Sequence, residues 1–283
     1  MAPSSRKDEA MAYKEKGNAR YAAKDYKSAI EFYSQAIRCD QLNYLLYTNR
    51  AAANLKLDKP KYQQVEIDCS TSIEIEKKNL KAHYFLAMAL VELKHPEWQE
   101  RSHTSAKEAH RLCVEECQMV PMGKGASNIQ VLTELVLKCK KEWWEKQERE
   151  RLKKIGGLHA ELAAILRARK DNVKCESEAS EYQTKIDELA SVFEMAGIGG
   201  KDARIKKVPD WAIDDITFSV MLDPVMTKNG KSYERASILN HLKNSETDPL
   251  TREHLTVRDL RPNLDLKKAC EEFLDQNGWA ADW

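Results

Sequence analysis

The chain has no Cys-x-x-Cys pair anywhere in its 283 residues. That excludes most zinc fingers, ribbons and RING-type sites, which draw their ligands from such pairs, and the thioredoxin-like redox motif. Its seven cysteines, Cys39, Cys69, Cys113, Cys117, Cys139, Cys175 and Cys270, are scattered and odd in number. This is the usage of reduced thiols in a cytosolic protein, not of a disulfide framework. An excess of either charge is lacking too: 46 Lys and Arg stand against 45 Asp and Glu. Neither nucleic acid nor an anionic membrane is therefore the expected main partner. No apolar run approaches the roughly 20 residues of a membrane span, and Met1 to Lys7 has no apolar core of a secretory signal. The expected location is the cytoplasm, with the nucleus as a second compartment.

What is present suits a helix-rich protein with long solvated faces: 32% of residues are charged and mean hydropathy is −0.65. The length predicts about two domains. An internal repeat organises the first part. Tyr13–Gly17 aligns with Tyr47–Ala51 and His83–Ala87, placing Gly17, Ala51 and Ala87 at separations of 34 and 36. A second helical segment follows each, with stripes Tyr26, Ala29, Ile30, Tyr33, Ala36, Ile37 and then Tyr62, Val65, Ile67, Cys69, Ser72, Ile73. Helical spacing with small residues at intervals marks close helix packing. In the third repeat Arg101 and Ser105 fall where packing residues are expected. The period and pattern resemble tetratricopeptide repeats, predicting an α-solenoid over 8–127.

A capping helix is expected over 128–151, with Ile129, Leu132, Leu135, Val136 and Cys139 inward. A charged segment over 142–200 carries two apolar series, Leu152 to Ile165 and Tyr182 to Phe193, separated by the polar stretch 167–181. It reads as an exposed linker or as a helical hairpin (coiled-coil-like) that dimerises. Gly156-Gly157 is expected to interrupt its first helix, and Gly197, Gly199 and Gly200 to mark a linker. The assignment of 128–200 is thus cap plus hairpin.

The last third, 208–283, opens with an apolar loop at Ile216-Thr217-Phe218. A hairpin follows about Asn229-Gly230, expected to be a two-residue type I′ turn. Then come a helix carrying Ile238, Leu239 and Leu242, a second loop at Thr247–Arg252, and a helix over 264–275 burying Leu266, Ala269, Cys270 and Phe273. Cys270, His241 and His254 are too few for even one four-coordinate structural site. No metal and no cofactor are expected; side-chain hydrogen bonds and ion pairs must hold the loops. His110, Cys113 and Cys117 on one helical stretch read as core rather than as ligands. The loop–hairpin–helix–loop order resembles the U-box family of ubiquitin ligases, a small α+β, zinc-free, RING-like fold. The whole chain is then mainly α.

Two constellations carry chemistry. Lys14 and Asn18 lie four apart on one helical face, with Asn49 and Lys81 at corresponding positions of the next repeats and Tyr84 and Phe85 beside Lys81. Two ammonium groups and two carboxamides present donors, and their natural ligand is a carboxylate; such bonds contribute about 1.5–3 kcal/mol each when shielded. Singly, Lys14 and Lys81 read as solvated helix residues. As a set they resemble the carboxylate clamp of chaperone-binding tetratricopeptide proteins. That resemblance implies a grip on the C-terminal Glu-Glu-Val-Asp tail of heat-shock chaperones, with Phe85 on the tail's apolar side chain. In the terminal stretch Ile216 and Phe218, two apart, share one side of an extended loop. From spacing alone they fit either a core pair or, with Pro249, an apolar saddle.

In U-box and RING ligases the matching positions grip a ubiquitin-conjugating enzyme. By the same resemblance Arg252 bridges that enzyme and its ubiquitin, and His241 braces the loops as a structural residue. No cysteine reads as a nucleophile. The order of clamp repeats, charged hairpin and U-box resembles the CHIP-type co-chaperone ubiquitin ligases. The function this implies is ubiquitination of misfolded clients held by a bound chaperone, by a homodimer, in protein quality control, without a covalent ligase–ubiquitin intermediate. A non-catalytic chaperone adaptor, or a ligase whose repeats bind some other acidic tail, are the alternatives.

Overall fold

The computed structural model describes residues 6–119, 126–173, 175–195 and 207–283. The linker expected at Gly197–Gly200 lies outside them. The chain separates into two compact units, one of residues 1–143 with 211–283 and one of residues 144–210.

In the first unit, α1 (Arg6–Ala22), α2 (Tyr26–Cys39), α3 (Tyr44–Leu55), α4 (Tyr62–Ile75), α5 (Leu80–Leu93) and α6 (Gln99–Met119) follow in order, and α7 (Ala126–Asp171) begins behind them. Each of the first five packs against the next. Short polar residues start these helices by accepting an otherwise unbonded N–H. Asp25 takes Ser28 N at 3.2 Å, Asn43 takes Leu45 N at 3.2 Å and Asn79 takes Ala82 N at 3.3 Å. Ala29, Ala36, Ala51, Ala53, Ala82 and Ala87 are fully buried, so backbones approach across minimal side chains. At Gly17 the approach is closer still: a Cβ there would stand 2.6 Å from the Tyr33 ring. Polar pins cross the same interfaces. Asp68 receives a bidentate pair from Arg50 at 2.7 and 2.9 Å. Thr48, Ser72 and Asn79 bond one another at 2.8–2.9 Å, joining α3, α4 and the start of α5.

Two stripes differ from expectation. Ile67 is exposed, and α4 buries Val65, Asp68, Cys69 and Ser72 instead. In α6, Ser105 is buried as expected, but Arg101 faces outward and bonds Glu66 at 2.6 Å and Ser70 at 2.7 Å. The packing face is Ser102, Ser105, Ala106, Ala109 and Cys113, a regular helical series set one residue later.

The second unit holds the rest of α7 and α8 (Glu176–Met195). Here the cap helix and the hairpin's first arm are one 46-residue helix that runs through Gly156-Gly157. A Cβ at either glycine would meet nothing within 4 Å. The two glycines cost about 1 kcal/mol each, and helix propagating from both sides absorbs that. His159 and Phe193 pack with tilted rings, 4.9 Å between centres, and Lys170 bonds Gln183 at 2.8 Å, so the segment is a hairpin. Its first arm ends at Asp171 and its second begins at Glu176.

Back in the first unit, β1 (Pro224–Met226), β2 (Ser232–Glu234), α9 (Arg235–Leu242), β3 (Arg261–Pro262) and α10 (Leu264–Gln276) form the terminal module. The sheet is antiparallel, in the order β2-β1-β3. The hairpin is not type I′. Only Gly230 has positive φ, 79°, while Gly230 N donates to Thr227 O at 3.1 Å and Thr227 N to Lys231 O at 2.8 Å. This is a three-residue loop, a type I turn closed by a left-handed glycine. Val225, Tyr233, Ile238, Leu242 and Leu255 make the core. On α10, Cys270 and Leu274 are the buried residues, and Phe273 stands edge-on between Trp211 and Trp279. The module is seated on the repeats: Ala236 and Leu239 pack with Ala109, Cys113, Ile129 and Leu132. Leu222 joins Ala87, Val91, Ala106, Val136 and Cys139. Ion pairs Lys140–Asp275 and Lys107–Glu271 flank the seam.

Candidate functional site

The first helices of the repeats place Asn18, Asn49, Lys81, Tyr84 and Phe85 around one cavity of about 550 Å³. Lys14 is half-buried one turn before Asn18 and does not line it. Asn18 Oδ1 accepts from the Tyr33 hydroxyl at 2.9 Å and from Asn49 Nδ2 at 3.4 Å. With its oxygen so occupied, the Asn18 amide group is oriented to offer N–H donors outward. Burial pushes the Tyr33 phenol up to about 12 and raises that of Tyr84, so both keep their protons. Among the described residues neither Lys14 nor Lys81 has a hydrogen-bond or ion-pair partner, leaving both charges for a ligand. Tyr84 and Phe85 pack against each other at 5.6 Å and form an apolar wall. Among the further lining residues that sequence reasoning did not assign to the groove are Val131 and Asn128 on α7 and Glu116 near the end of α6. Residues 120–125, between these two helices, lie outside the described set, and no repeat pattern in the sequence reaches across them.

The terminal module builds a second site from two loops with one hydrogen-bond pattern. In the first, Asp214 Oδ2 accepts from Thr217 N at 2.9 Å, Phe218 N donates to Asp214 O at 2.8 Å, and Asp214 N donates to Ser219 O at 2.9 Å. In the second, Asp248 Oδ1 accepts from Thr251 N at 3.0 Å, Arg252 N donates to Asp248 O at 2.9 Å, and Asp248 N donates to Glu253 O at 2.8 Å. Both loops read Asp-x-x-Thr, and in both the residue after Thr is left-handed: Phe218 at φ 59° and Arg252 at φ 61°. The two aspartates are anchored to neighbouring residues of β2. Asp214 Oδ1 takes Glu234 N at 2.8 Å, and Asp248 Oδ1 takes the Tyr233 hydroxyl at 2.9 Å. Burial works to raise Asp248, but the amides of Thr251 and Leu250 and the Tyr233 hydroxyl outweigh it and hold its carboxyl below the usual range.

Glu234 is fully buried, and burial pushes its carboxyl up to about 7 although Oε2 accepts from Leu222 N and Asp223 N. Asp223 answers Arg235 at 2.5 Å and Lys267 at 2.9 Å. Side-chain bonds of this kind hold loops that metal ions hold in zinc-dependent modules. His241 Nε2 meets Thr247 O at 2.9 Å and ties α9 to the second loop.

On this frame Phe218 is 71% and Leu250 51% exposed, while Pro249 and Ile216 are half-buried. Ile216 leans on the core, so the two readings of the first loop divide: Ile216 supports it and Phe218 is presented. Arg252 is exposed, and its guanidinium has no partner among the described residues. Leu250 was passed over in the sequence; its signal was its place in the second Asp-x-x-Thr loop, matching Ile216 in the first. The thiols near this frame are poor nucleophiles: burial pushes Cys113 and Cys270 up to about 12 and Cys139 up to about 11. Exposed Cys175, in the turn before α8, is held below its usual range by Ser177 and nearby backbone N–H groups.

A model of the U-box domain family matches residues 208–279. The chain is 30% identical over 276 residues to the E3 ubiquitin-protein ligase CHIP of Arabidopsis thaliana, covering 94% of each. It is 38% identical over 108 residues to the Hsp70/Hsp90 co-chaperone cns1 of Schizosaccharomyces pombe, covering 37% of this chain and 28% of that protein. Among solved structures, the first tetratricopeptide domain of Spaghetti (RPAP3), bound to the HSP90 peptide SRMEEVD, is similar with 25% identity and a TM-score of 0.36. It covers 45% of this chain and 93% of that one.

Proposed function

Because the chain belongs to the family of CHIP-type E3 ubiquitin-protein ligases, a U-box joined to tetratricopeptide repeats, we propose that it ubiquitinates misfolded clients delivered by a chaperone. The repeat groove takes the chaperone's C-terminal acidic tail. Asn18, Asn49 and Lys81 bind its carboxylates, Lys14 supplies a second cation at the groove's end, and Tyr84 and Phe85 take an apolar side chain. Binding is on the order of micromolar, as expected for a few charge-assisted bonds on a short peptide.

Phe218, with Ile216, Pro249 and Leu250, forms the seat for a conjugating enzyme, and Arg252 faces the ubiquitin that enzyme carries. The module supplies no nucleophile. It restricts the flexible thioester conjugate to reactive orientations, which lowers the barrier by positioning. The client's lysine amine attacks the thioester carbonyl, the isopeptide C–N bond forms, the conjugating enzyme's cysteine leaves as thiolate, and the amine's proton passes to solvent. The α7–α8 hairpin leaves Leu158, Ile165 and Val192 exposed; we assign that stripe to self-association as a homodimer, with the cytoplasm as site of action.

The presentation of Phe218 on a loop fixed by Asp214 carries the ligase reading. Discharge of ubiquitin from a charged conjugating enzyme to free lysine tests it. The full chain is expected to accelerate discharge and Phe218→Ala to abolish the acceleration. Equal acceleration by both would remove the proposed seat.

A further inference from the structure

The groove is not uniformly basic. Its free cations, Lys14 and Lys81, lie on α1 and α5, and its carboxamides, Asn18 and Asn49, on α1 and α3. At the other end α6 contributes Glu116, exposed, lining the same cavity and without a hydrogen-bond or ion-pair partner among the described residues. We propose that this groove selects C-terminal tails carrying a basic residue upstream of the acidic terminus, and that Glu116 is the residue that reads it. The inference rests on the groove's being the tail site.

Packed helices lie about 9 Å apart, so the two steps from Asn49 on α3 through α5 to Glu116 on α6, helices in contact in that order, span about 18 Å. An extended peptide covers that in five or six residues at about 3.3 Å each. Tyr84 and Phe85, on α5, stand in the interval. A ligand that matches the whole groove therefore has a carboxylate terminus, an apolar residue between, and a cation about five positions upstream. An acid at that upstream position would meet Glu116 and be rejected, which is discrimination by repulsion as well as by attraction.

The test uses the full chain and three labelled peptides, SRMEEVD, SQMEEVD and SEMEEVD, followed by fluorescence anisotropy at low and high salt. For an exposed pair the expected preference is about two- to fivefold at each step, Arg over Gln over Glu, shrinking in high salt. Glu116→Gln should level the Arg and Gln peptides, and Glu116→Lys should reverse the order. Both changes are at an exposed position and leave the helices packed. If Glu116→Gln keeps the wild-type order and spacing, the inference is wrong while the tail site stands. If Lys81→Ala leaves the binding of all three peptides unchanged, the tail site itself is wrong, and the inference falls with it.

Discussion

In the repeats, close approach is made by residues with almost no side chain: Gly17 under the Tyr33 ring, and Ala29, Ala36, Ala51 and Ala53 between helices. In the terminal module, two loops are held by polar carboxyl side chains, Asp214 and Asp248, each accepting at least three hydrogen bonds. The repeats position side chains, because helices are rigid and the groove's donors project from them. The module positions backbone, because what it must present is a path that turns Phe218 and Leu250 outward. Apolar packing can hold a helix at any of several small offsets. A carboxylate bonded to specified N–H groups holds a loop at one.

The largest effect expected from breaking this contrast is at Asp248. Replacing it with alanine strands the buried Tyr233 hydroxyl, at about 1–3 kcal/mol, and takes the acceptor from the part-buried Leu250 and Thr251 amides. In a module of about 70 residues with a marginal core, Asp248→Ala should abolish both its thermal transition and ubiquitin discharge. Binding of a Glu-Glu-Val-Asp peptide to the repeats should persist. A chelator should move neither transition in the wild type; loss of discharge on chelation would mean that a metal, not the carboxylates, holds the loops.

Next in size is Lys81→Ala, which removes a charge-assisted bond of about 1.5–3 kcal/mol and should weaken tail binding tenfold or more by calorimetry. Discharge to free lysine should be untouched, and a fall in discharge would show that the two sites are coupled. Third, Gly17→Ala forces a methyl into the Tyr33 ring. It should cost about 1–3 kcal/mol as overpacking, read as a lower melting temperature for the repeats with the module's transition unmoved.

The smallest effect is at Glu234. Burial raises its carboxyl from about 4.5 to about 7. A raised folded value means stability that is whole below about 4.5 and is lost as pH rises through about 7. Glu234→Gln should flatten that decline in melting temperature. Its net gain at pH 8 should stay under about 1 kcal/mol, because the new amide group lacks an acceptor. An equally steep decline in the variant would place the titration elsewhere.

Much of this was legible in the sequence because its causes are local. Small residues at a fixed period announce helices that touch, and the loops at Ile216–Phe218 and Thr247–Arg252, with Pro249 and Arg252, mark out the second site. Asn18, Asn49, Lys81, Tyr84 and Phe85 were found by repeat register and do share a cavity. Other features depend on distant surroundings. Gly156-Gly157 reads as a break, yet helix continues on both sides of it. Asn229-Gly230 reads as a two-residue turn, but the bond from Thr227 N to Lys231 O leaves a three-residue loop, 228–230. Arg101 looks misplaced until Glu66 and Ser70, more than 30 residues earlier, are seen to receive it. Glu116, late in the third repeat's second helix, and Asn128, just beyond the repeats, line the groove at places where no repeat register points.

Phe218 and Arg252 each hold a backbone conformation that suits glycine, at a cost of about 1–2 kcal/mol apiece. Selection for thermal stability alone would put glycine at both places. That the chain keeps an aromatic ring at one and a guanidinium at the other makes the module a poor candidate for stabilisation by consensus-style redesign. The two cheapest gains in stability on offer there are the two side chains its partners would touch, so a more heat-resistant version obtained that way would be a quieter one.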